Sequence, residues 1–365
     1  MTDEFFMNRA LTIAERGVGY VSPNPKVGAV IVRENEIISE GWHQFYGGPH
    51  AEVNAISNAN IDCFDDCTIY VTLEPCSHHG KTPPCADLIV QKKFKKVVIA
   101  AKDPNPLVSG KGVQKIKNAG IQVVEGVLEK EALWANRIFF KHIQYDKPYI
   151  MLKIAQTVDG CISLNNGDSK WITCEESRKI THILRHEFDA VLVGKNTVLK
   201  DNPLLTVRNV EGRNPRRVVC DTNLSLPLDV SLYKMDDKHN TIICCNEESA
   251  KSRKARNLIL SGVNILPVGT DKTGKINLNQ MTDLLYCNFG IYSIMVEGGT
   301  GIFSSFVKEQ IVDEMQIFIA PKILGKCRTA FEDIFVSKVS NAVKFKLKSV
   351  NQSGDDIHSI FVSDS

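Results

Sequence analysis

No apolar run in this 365-residue chain approaches the roughly 18 residues that a helix needs to cross a bilayer. Residues 1–16 also lack the basic-then-apolar order of a signal peptide and carry instead an amphipathic helical pattern with acidic residues. No membrane association is expected, and the chain is expected to stay in the cytoplasm. Charge of one sign is equally scarce. The formal net charge is +2, whereas a surface dedicated to nucleic acid needs a strongly basic face to neutralise phosphates. The one basic cluster, Lys92, Lys93, Lys95 and Lys96, falls at the end of an expected helix, where cations complement the helix dipole on a solvated face. A disulfide framework is not expected either. Eleven cysteines, an odd number scattered over both halves, suit metal ligation and core thiols in a reducing compartment.

What is present is concentrated chemistry. His50, Ala51 and Glu52 are followed by Pro75-Cys76 and then by Pro84-Cys85. One imidazole and two thiolates can hold Zn²⁺ with a fourth position open, and a water there has its pKa lowered to about 7. Glu52 is expected to be the acid/base and not a ligand. Two positions beyond His50 on the first turn of a helix, it can take the water's proton and deliver protons to a ring nitrogen and a departing amine. Cys85 opens the apolar run 86–90, read as a helix start whose N–H groups favour a thiolate. A structural site of four thiolates, Cys63, Cys67, Cys76 and Cys85, would close the metal's open position and leave Glu52 without a role. Cys63 and Cys67 are instead expected in the core.

Eight residues separate Cys76 from Cys85, where the general deaminase pattern has two. The inserted segment carries a Gly-Lys-Thr-Pro-Pro turn beside the metal. Lys81 is expected to meet an anionic group of the substrate there. Asn24 and His43, polar groups ahead of the metal helix, are candidates to read a pyrimidine edge, the alternative for His43 being a half-buried packing histidine.

The length predicts two domains. Strand-length apolar runs at 27–32, 37–41, 68–73, 97–101 and 121–125 alternate with helical segments, the pattern of an α/β sandwich. Tyr145-Asp146-Lys147-Pro148 breaks the last helix just before a fresh strand, 149–155, which sets the domains at 1–145 and 146–365. Strands at 190–194, 217–221, 241–244, 264–267, 293–297 and 314–319, with a helix at 177–187 after a possible Thr173 cap, make a second α/β domain.

In that second half, strand 293–297 runs into Gly298, Gly299, Thr300 and Gly301 and then a helix. Such a turn can cradle phosphate, though glycines there can be a tight turn alone. Two polar stretches stand out: Lys153, Ala155, Gln156, Thr157, Asp159 and Gly160 with Ser169 to Ile172, and Asn196 to Arg208. Each follows a strand, and ligands of open α/β sheets bind beyond the carboxyl ends of strands. Asp159-Gly160 could also be a simple turn and Trp171 a core aromatic.

Together these motifs resemble the bifunctional deaminase–reductase family of riboflavin biosynthesis over essentially the whole chain. The resemblance is carried by Pro23-Asn24-Pro25-Lys26-Val27-Gly28, His50-Ala51-Glu52, Glu74-Pro75-Cys76-Ser77-His78, Gly80-Lys81-Thr82-Pro83-Pro84-Cys85, Ser169, Trp171-Ile172, 197–201, 205–208 and Glu297-Gly298-Gly299. It implies a cytidine-deaminase-like three-layer sandwich followed by a dihydrofolate-reductase-like α/β domain, with Zn²⁺ and NADPH as cofactors. Carried over by position, Ala155, Trp171, Thr197, Asp201, Thr222, Gly299, Thr300 and Gly301 would contact NADPH. Ser169, Arg185, Leu205, Arg208 and Glu297 would hold the substrate, whose phosphate suits the planar forks of the arginines. The implied substrates are small phosphorylated pyrimidines, deaminated and then reduced at the ribosyl group. Lys153 and Glu297 are both candidates for the reductase proton donor, and the resemblance implies a homodimer or larger assembly.

Overall fold

The near-continuous apolar runs of the amino-terminal half become central strands because helices cover both faces of one sheet. The computed structural model describes residues 1–77, 84–105 and 109–364, and the chain divides at Met1–Asp146 and Lys147–Ser365. In the first unit the order is α1 (Asp3–Ala14), β1 (Gly28–Arg33), β2 (Glu36–Trp42), α2 (Ala51–Asn58), β3 (Thr68–Leu73), α3 (Cys85–Gln91), β4 (Lys96–Ala101), α4 (Lys111–Asn118), β5 (Gln122–Glu125), α5 (Glu129–Ala135) and α6 (Arg137–Tyr145). The sheet order is β2-β1-β3-β4-β5, antiparallel on the β2 side and parallel from β3 to β5.

Alternate side chains of each strand feed two separate cores. Ile31, Ile69, Val71, Val97 and Ile99 pack with Ala51 and Ala55 of α2, Ile89 of α3 and Ile116 of α4. Val30, Val32, Tyr70 and Val98 pack on the other face with Phe6, Met7, Ala10 and Ile13 of α1. This is a three-layer sandwich. The close fit of α2 depends on Gly41, where a Cβ would stand 2.2 Å from the Ala55 nitrogen, so the helix that follows His50 lies directly on β2.

The second unit continues with β6 (Tyr149–Thr157), β7 (Cys161–Leu164), α7 (Glu175–Glu187), β8 (Ala190–Gly194), α8 (Lys195–Asp201), β9 (Arg216–Cys220), β10 (Thr241–Cys245), α9 (Glu247–Ala250), α10 (Arg253–Leu260) and β11 (Asn264–Pro267). Then come α11 (Leu278–Phe289), β12 (Ser293–Gly298), α12 (Thr300–Lys308), β13 (Glu314–Ala320), β14 (Cys327–Thr329), β15 (Phe345–Ser353) and β16 (Asp356–Ser363). The main sheet runs β11-β10-β9-β8-β12-β6-β13-β16-β15. It is parallel from β11 to β13, with β16 and β15 added antiparallel. The parallel strands therefore present their carboxyl ends along one edge, and β6, β8 and β12 lie side by side there.

Three expectations need correction. Helix α7 starts at Glu175 with Cys174, not Thr173, at its cap, because the first helical N–H, that of Arg178, goes to the Cys174 carbonyl at 3.3 Å while the Thr173 carbonyl accepts the Arg178 side chain. The hairpin of β15 and β16 was absent from the expected strands. And the cysteines are not all metal ligands or free thiols. Cys161 and Cys327 form a disulfide with their Cα atoms 5.7 Å apart. The antiparallel pairing of β7 with β14 brings them together across 166 residues of sequence, a proximity that counting cysteines does not reveal. The other nine cysteines are free.

Candidate active sites

Three chain segments converge on the metal-ligand candidates of the first unit. His50 is the residue that caps α2, Cys76 follows β3, and Cys85 is the first residue of α3. The His50 Nδ1 lies 3.2 Å from the Cys85 sulfur and 3.6 Å from the Cys76 sulfur, and one ligand atom from each residue falls within 4.8 Å of the others. Zn–N and Zn–S bonds of about 2.0–2.3 Å span such a set, so the donors present fit Zn²⁺. The Cys85 N–H donates to the Cys76 sulfur at 3.3 Å. Hydrogen bonds from Cys85, and then from His50, hold the Cys76 thiol well below its ordinary value against its burial. No second metal cluster occurs among the described residues. Cys67 is buried as expected, but Cys63 is exposed, and neither joins the ligand group.

Glu52 sits in the first turn of α2 and is 3% exposed. Burial pushes its carboxyl up to about 7. His43 is buried too: its Nδ1 lies 3.0 Å from the Pro49 carbonyl and its Nε2 3.1 Å from Asn24 Nδ2. Its ring meets that of His50 edge-on at 5.6 Å, so Asn24, His43 and His50 form one connected set. Lys81 lies in residues 78–83, outside the described residues.

Glu74 precedes Pro75-Cys76 and was assigned no role in the sequence. Its buried carboxylate accepts four backbone N–H groups: Gly110 at 3.0 Å, Gly112 at 3.1 Å, Val113 at 3.2 Å and Asp103 at 3.4 Å. A Cβ on Gly112 would stand 2.0 Å from the Pro75 carbonyl oxygen. The loop after β4 and the start of α4 are thus drawn against the segment that carries Cys76. That loop includes Asp103 and Asn105, with the Asn105 N–H donating to Asp103 Oδ1 at 2.8 Å; a polar Asp-Pro-Asn-Pro run after a strand was the signal available.

In the second unit the cluster is ionic. Arg185 of α7 makes a two-pronged pair with Glu297 of β12, Nε to Oε1 at 2.5 Å and NH2 to Oε2 at 2.8 Å. Lys153 of β6 approaches the same carboxylate at 3.4 Å. Burial by itself would raise the Glu297 pKa, but Arg185 and Lys153 overcome it and hold the group at about 2. Arg185 also donates to the Thr206 carbonyl at 2.9 Å, and Arg208 to the Thr206 hydroxyl at 3.1 Å. Leu205, buried with φ 54°, turns the chain into this contact.

The glycine turn lies beside it. Thr197 of α8 donates to the Gly298 carbonyl at 3.3 Å. Gly299 has φ 93°, a conformation that disfavours a side chain, and caps α12 at Thr300 and Gly301. Ala155 is on β6, Asp201 ends α8, and Thr222 follows β9 with its carbonyl accepting the Asn246 N–H at 2.8 Å. These three share the carboxyl edge without joining the hydrogen-bonded cluster. Ser169 and Trp171 lie in the segment between β7 and α7. The two open alternatives resolve here. Trp171 is 64% exposed, with the Arg178 guanidinium 4.9 Å from its ring centre, so it is no core aromatic. Asp159 is more than a turn, since its carboxylate accepts the N–H groups of Leu324 at 3.1 Å and Gly325 at 2.7 Å.

Comparison with known proteins follows the same division. Residues 1–101 match the cytidine and deoxycytidylate deaminase zinc-binding region, and residues 148–359 match the RibD C-terminal domain. The chain is 43% identical to the riboflavin biosynthesis protein RibD of Aquifex aeolicus, with 97% of each covered. It is 41% identical to that of Actinobacillus pleuropneumoniae, covering 98% of this chain and 94% of the relative. Among solved structures, a Thermotoga maritima diaminohydroxyphosphoribosylaminopyrimidine deaminase/5-amino-6-(5-phosphoribosylamino)uracil reductase aligns with TM-score 0.86 at 40% identity over 99% of this chain and 98% of that one. Acinetobacter baumannii RibD aligns with TM-score 0.86 at 36% identity over 100% and 99%. The chain therefore belongs to the RibD family, the bifunctional deaminase and reductase of riboflavin biosynthesis, with Zn²⁺ and NADPH as its cofactors.

Proposed function

We propose that residues 1–145 release the 2-amino group of 2,5-diamino-6-(5-phosphoribosylamino)pyrimidin-4-one as ammonia, and that residues 146–365 then reduce the ribosyl group of 5-amino-6-(5-phosphoribosylamino)uracil to ribityl. The observation that carries the reading is the His50, Cys76 and Cys85 donor set with the buried Glu52 beside it. Zn²⁺ held there supplies a water acidic enough to act at neutral pH. Glu52 would carry the protons, accepting one from the attacking water and delivering them to the ring nitrogen and the leaving amine. Asn24 and His43 orient the pyrimidine. Lys81 binds its anionic substituent.

In the second unit Ala155, Trp171, Thr197, Asp201, Thr222 and the turn Gly299, Thr300 and Gly301 bind NADPH, which supplies the hydride. Ser169, Arg185, Leu205, Arg208 and Glu297 hold the substrate. Glu297, kept ionised by its two cations, has no proton to give at neutral pH. The donor is then Lys153, an ammonium 3.4 Å from Glu297.

One coupled assay tests both halves: supply the diamino substrate with NADPH and follow ammonia and NADPH oxidation together. Chelating the zinc should stop ammonia release and leave NADPH oxidation intact when purified deaminated substrate is supplied. Ammonia release that survives verified zinc removal would overturn the first assignment, and failure to oxidise NADPH with the deaminated substrate would overturn the second.

We place the enzyme in the cytoplasm as a proposal; separately, among the described residues no helix is long and apolar enough to cross a membrane. A homodimer or larger assembly fits the exposed side of the last hairpin. There Leu347 and Val350 of the edge strand β15 lie open to solvent, as do Phe335 and Val339 of the preceding segment. Sedimentation of the purified protein is expected to give twice the 40.6 kDa chain mass or more; a monomer at micromolar concentration would refute it.

A further inference from the structure

In the loop that carries Ser169 and Trp171, Ile172 is buried at 9% exposure, but nothing hydrophobic holds the neighbouring ring. The Trp171 indole is 64% exposed, so burial of the ring contributes little to its placement. The loop is held by polar and covalent ties to the segment that follows β13. The Lys322 ammonium donates to the carbonyls of Trp171 and Ile172, each at 2.7 Å. Asp159, in the turn between β6 and β7, accepts the N–H groups of Leu324 and Gly325. The Cys161–Cys327 disulfide and the β7–β14 ladder lock the two segments side by side. The far end of that segment reaches the glycine turn, where Thr300 donates to the Thr329 carbonyl at 2.8 Å. One stretch, 320–329, therefore touches both the Trp171 loop and the start of α12.

We propose that Lys322 is a positioning residue for the reductase's NADPH site: it fixes the backbone of Trp171 and Ile172 so that the exposed indole is in place before the cofactor arrives. The inference rests on the reading of Trp171 as an NADPH contact. Its physical basis is preorganisation. A cofactor that must order a loop spends binding free energy on it, and a loop already tied down spares that cost. Two carbonyls aimed at one cation make charge-assisted bonds, stronger than neutral ones. Arg178 complements the tie from the side-chain end, stacking on the indole while its NH1 donates to the Thr173 carbonyl at 2.6 Å.

The test uses the full-length enzyme with deaminated substrate. Lys322→Gln, which replaces the ammonium by a neutral donor, should raise the KM for NADPH by about threefold to tenfold, the range expected for the net loss of one ordinary hydrogen bond, while kcat changes little. Lys322→Arg, which keeps the charge and can fork to both carbonyls, should restore most of the loss. Trp171→Phe identifies the share of fluorescence that NADPH quenches at Trp171, and that quenching should need correspondingly more cofactor in Lys322→Gln. Alkylation and mass measurement should show Cys161–Cys327 still bridged in the variants, which separates a misplaced loop from an unfolded one. An unchanged KM in Lys322→Gln, beside a raised KM in Trp171→Ala, would overturn the role of Lys322 alone. An unchanged KM in Trp171→Ala would remove the NADPH reading of Trp171, and the proposal with it. Loss of the disulfide together with loss of kcat, or an Arg variant as impaired as the Gln variant, would make Lys322 merely structural and overturn the positioning role.

Discussion

Glu52→Gln is expected to lower ammonia release by about 10²–10⁴-fold, the usual worth of a positioned general acid/base, with zinc content unchanged. The substitution keeps the shape of the side chain and removes only its ability to carry the proton. Because Glu52 is buried beside Cys85 and is not itself in the donor set of His50, Cys76 and Cys85, losing its charge should leave the metal site intact. The variant should fold at least as well as the parent, since a buried carboxylate is replaced by a neutral group. NADPH oxidation with purified deaminated substrate should be unaffected. Zinc analysis beside an ammonia assay decides it: a variant that keeps both metal and deaminase activity would return the site to a structural role.

Arg185→Ala should have the largest effect on the second unit. Arg185 is 9% exposed and provides both prongs of the pair with Glu297 and a bond to the Thr206 carbonyl. Removing it leaves a buried carboxylate facing Lys153 alone, a loss of about 3–5 kcal/mol for breaking one side of a buried pair. For a unit of this size that is roughly a 10 °C fall in Tm. NADPH oxidation should fall with it while ammonia release persists. The effect carries a pH sign. Glu297 is depressed from 4.5 to about 2 in the folded protein, so the pair's contribution is fully present above the unfolded pKa and is lost as pH falls from 4.5 toward 2. The stability difference between parent and variant should therefore narrow in acid. Denaturant unfolding at pH 7 and near pH 3 measures this, and a difference that stays constant or widens would refute the pairing account.

Much of the first site was legible because its signals are local. His50 and Glu52 are two residues apart at a helix start, and Cys76 and Cys85 each stand next to an element whose type the apolar pattern already indicates. Strands with β-branched runs, such as 68–73 and 190–194, were placed to the residue, since burial on both faces leaves an unbroken apolar run. The β15–β16 hairpin was missed for the converse reason. Along β15 most side chains are exposed and lysines interrupt the pattern, because an edge strand buries little and needs no apolar face. Thr173 was a reasonable cap by residue type, but its carbonyl is occupied by the Arg178 side chain, and the first helical N–H goes to the Cys174 carbonyl instead.

The sequence by itself placed the residues that can carry chemistry: the candidate ligand types, the carboxylate two positions from the histidine, the two α/β units, and the glycine turn after a strand. Each is written in neighbouring residues, where spacing along the chain translates directly into geometry. Only the tertiary structure decided which distant residues meet. It paired Arg185 with Glu297 across 112 positions, gathered four N–H groups onto Glu74, joined Cys161 to Cys327, and brought Lys322 to the carbonyls of Trp171 and Ile172. Such contacts are made by strand order and crossover, and these emerge from the packing of whole elements.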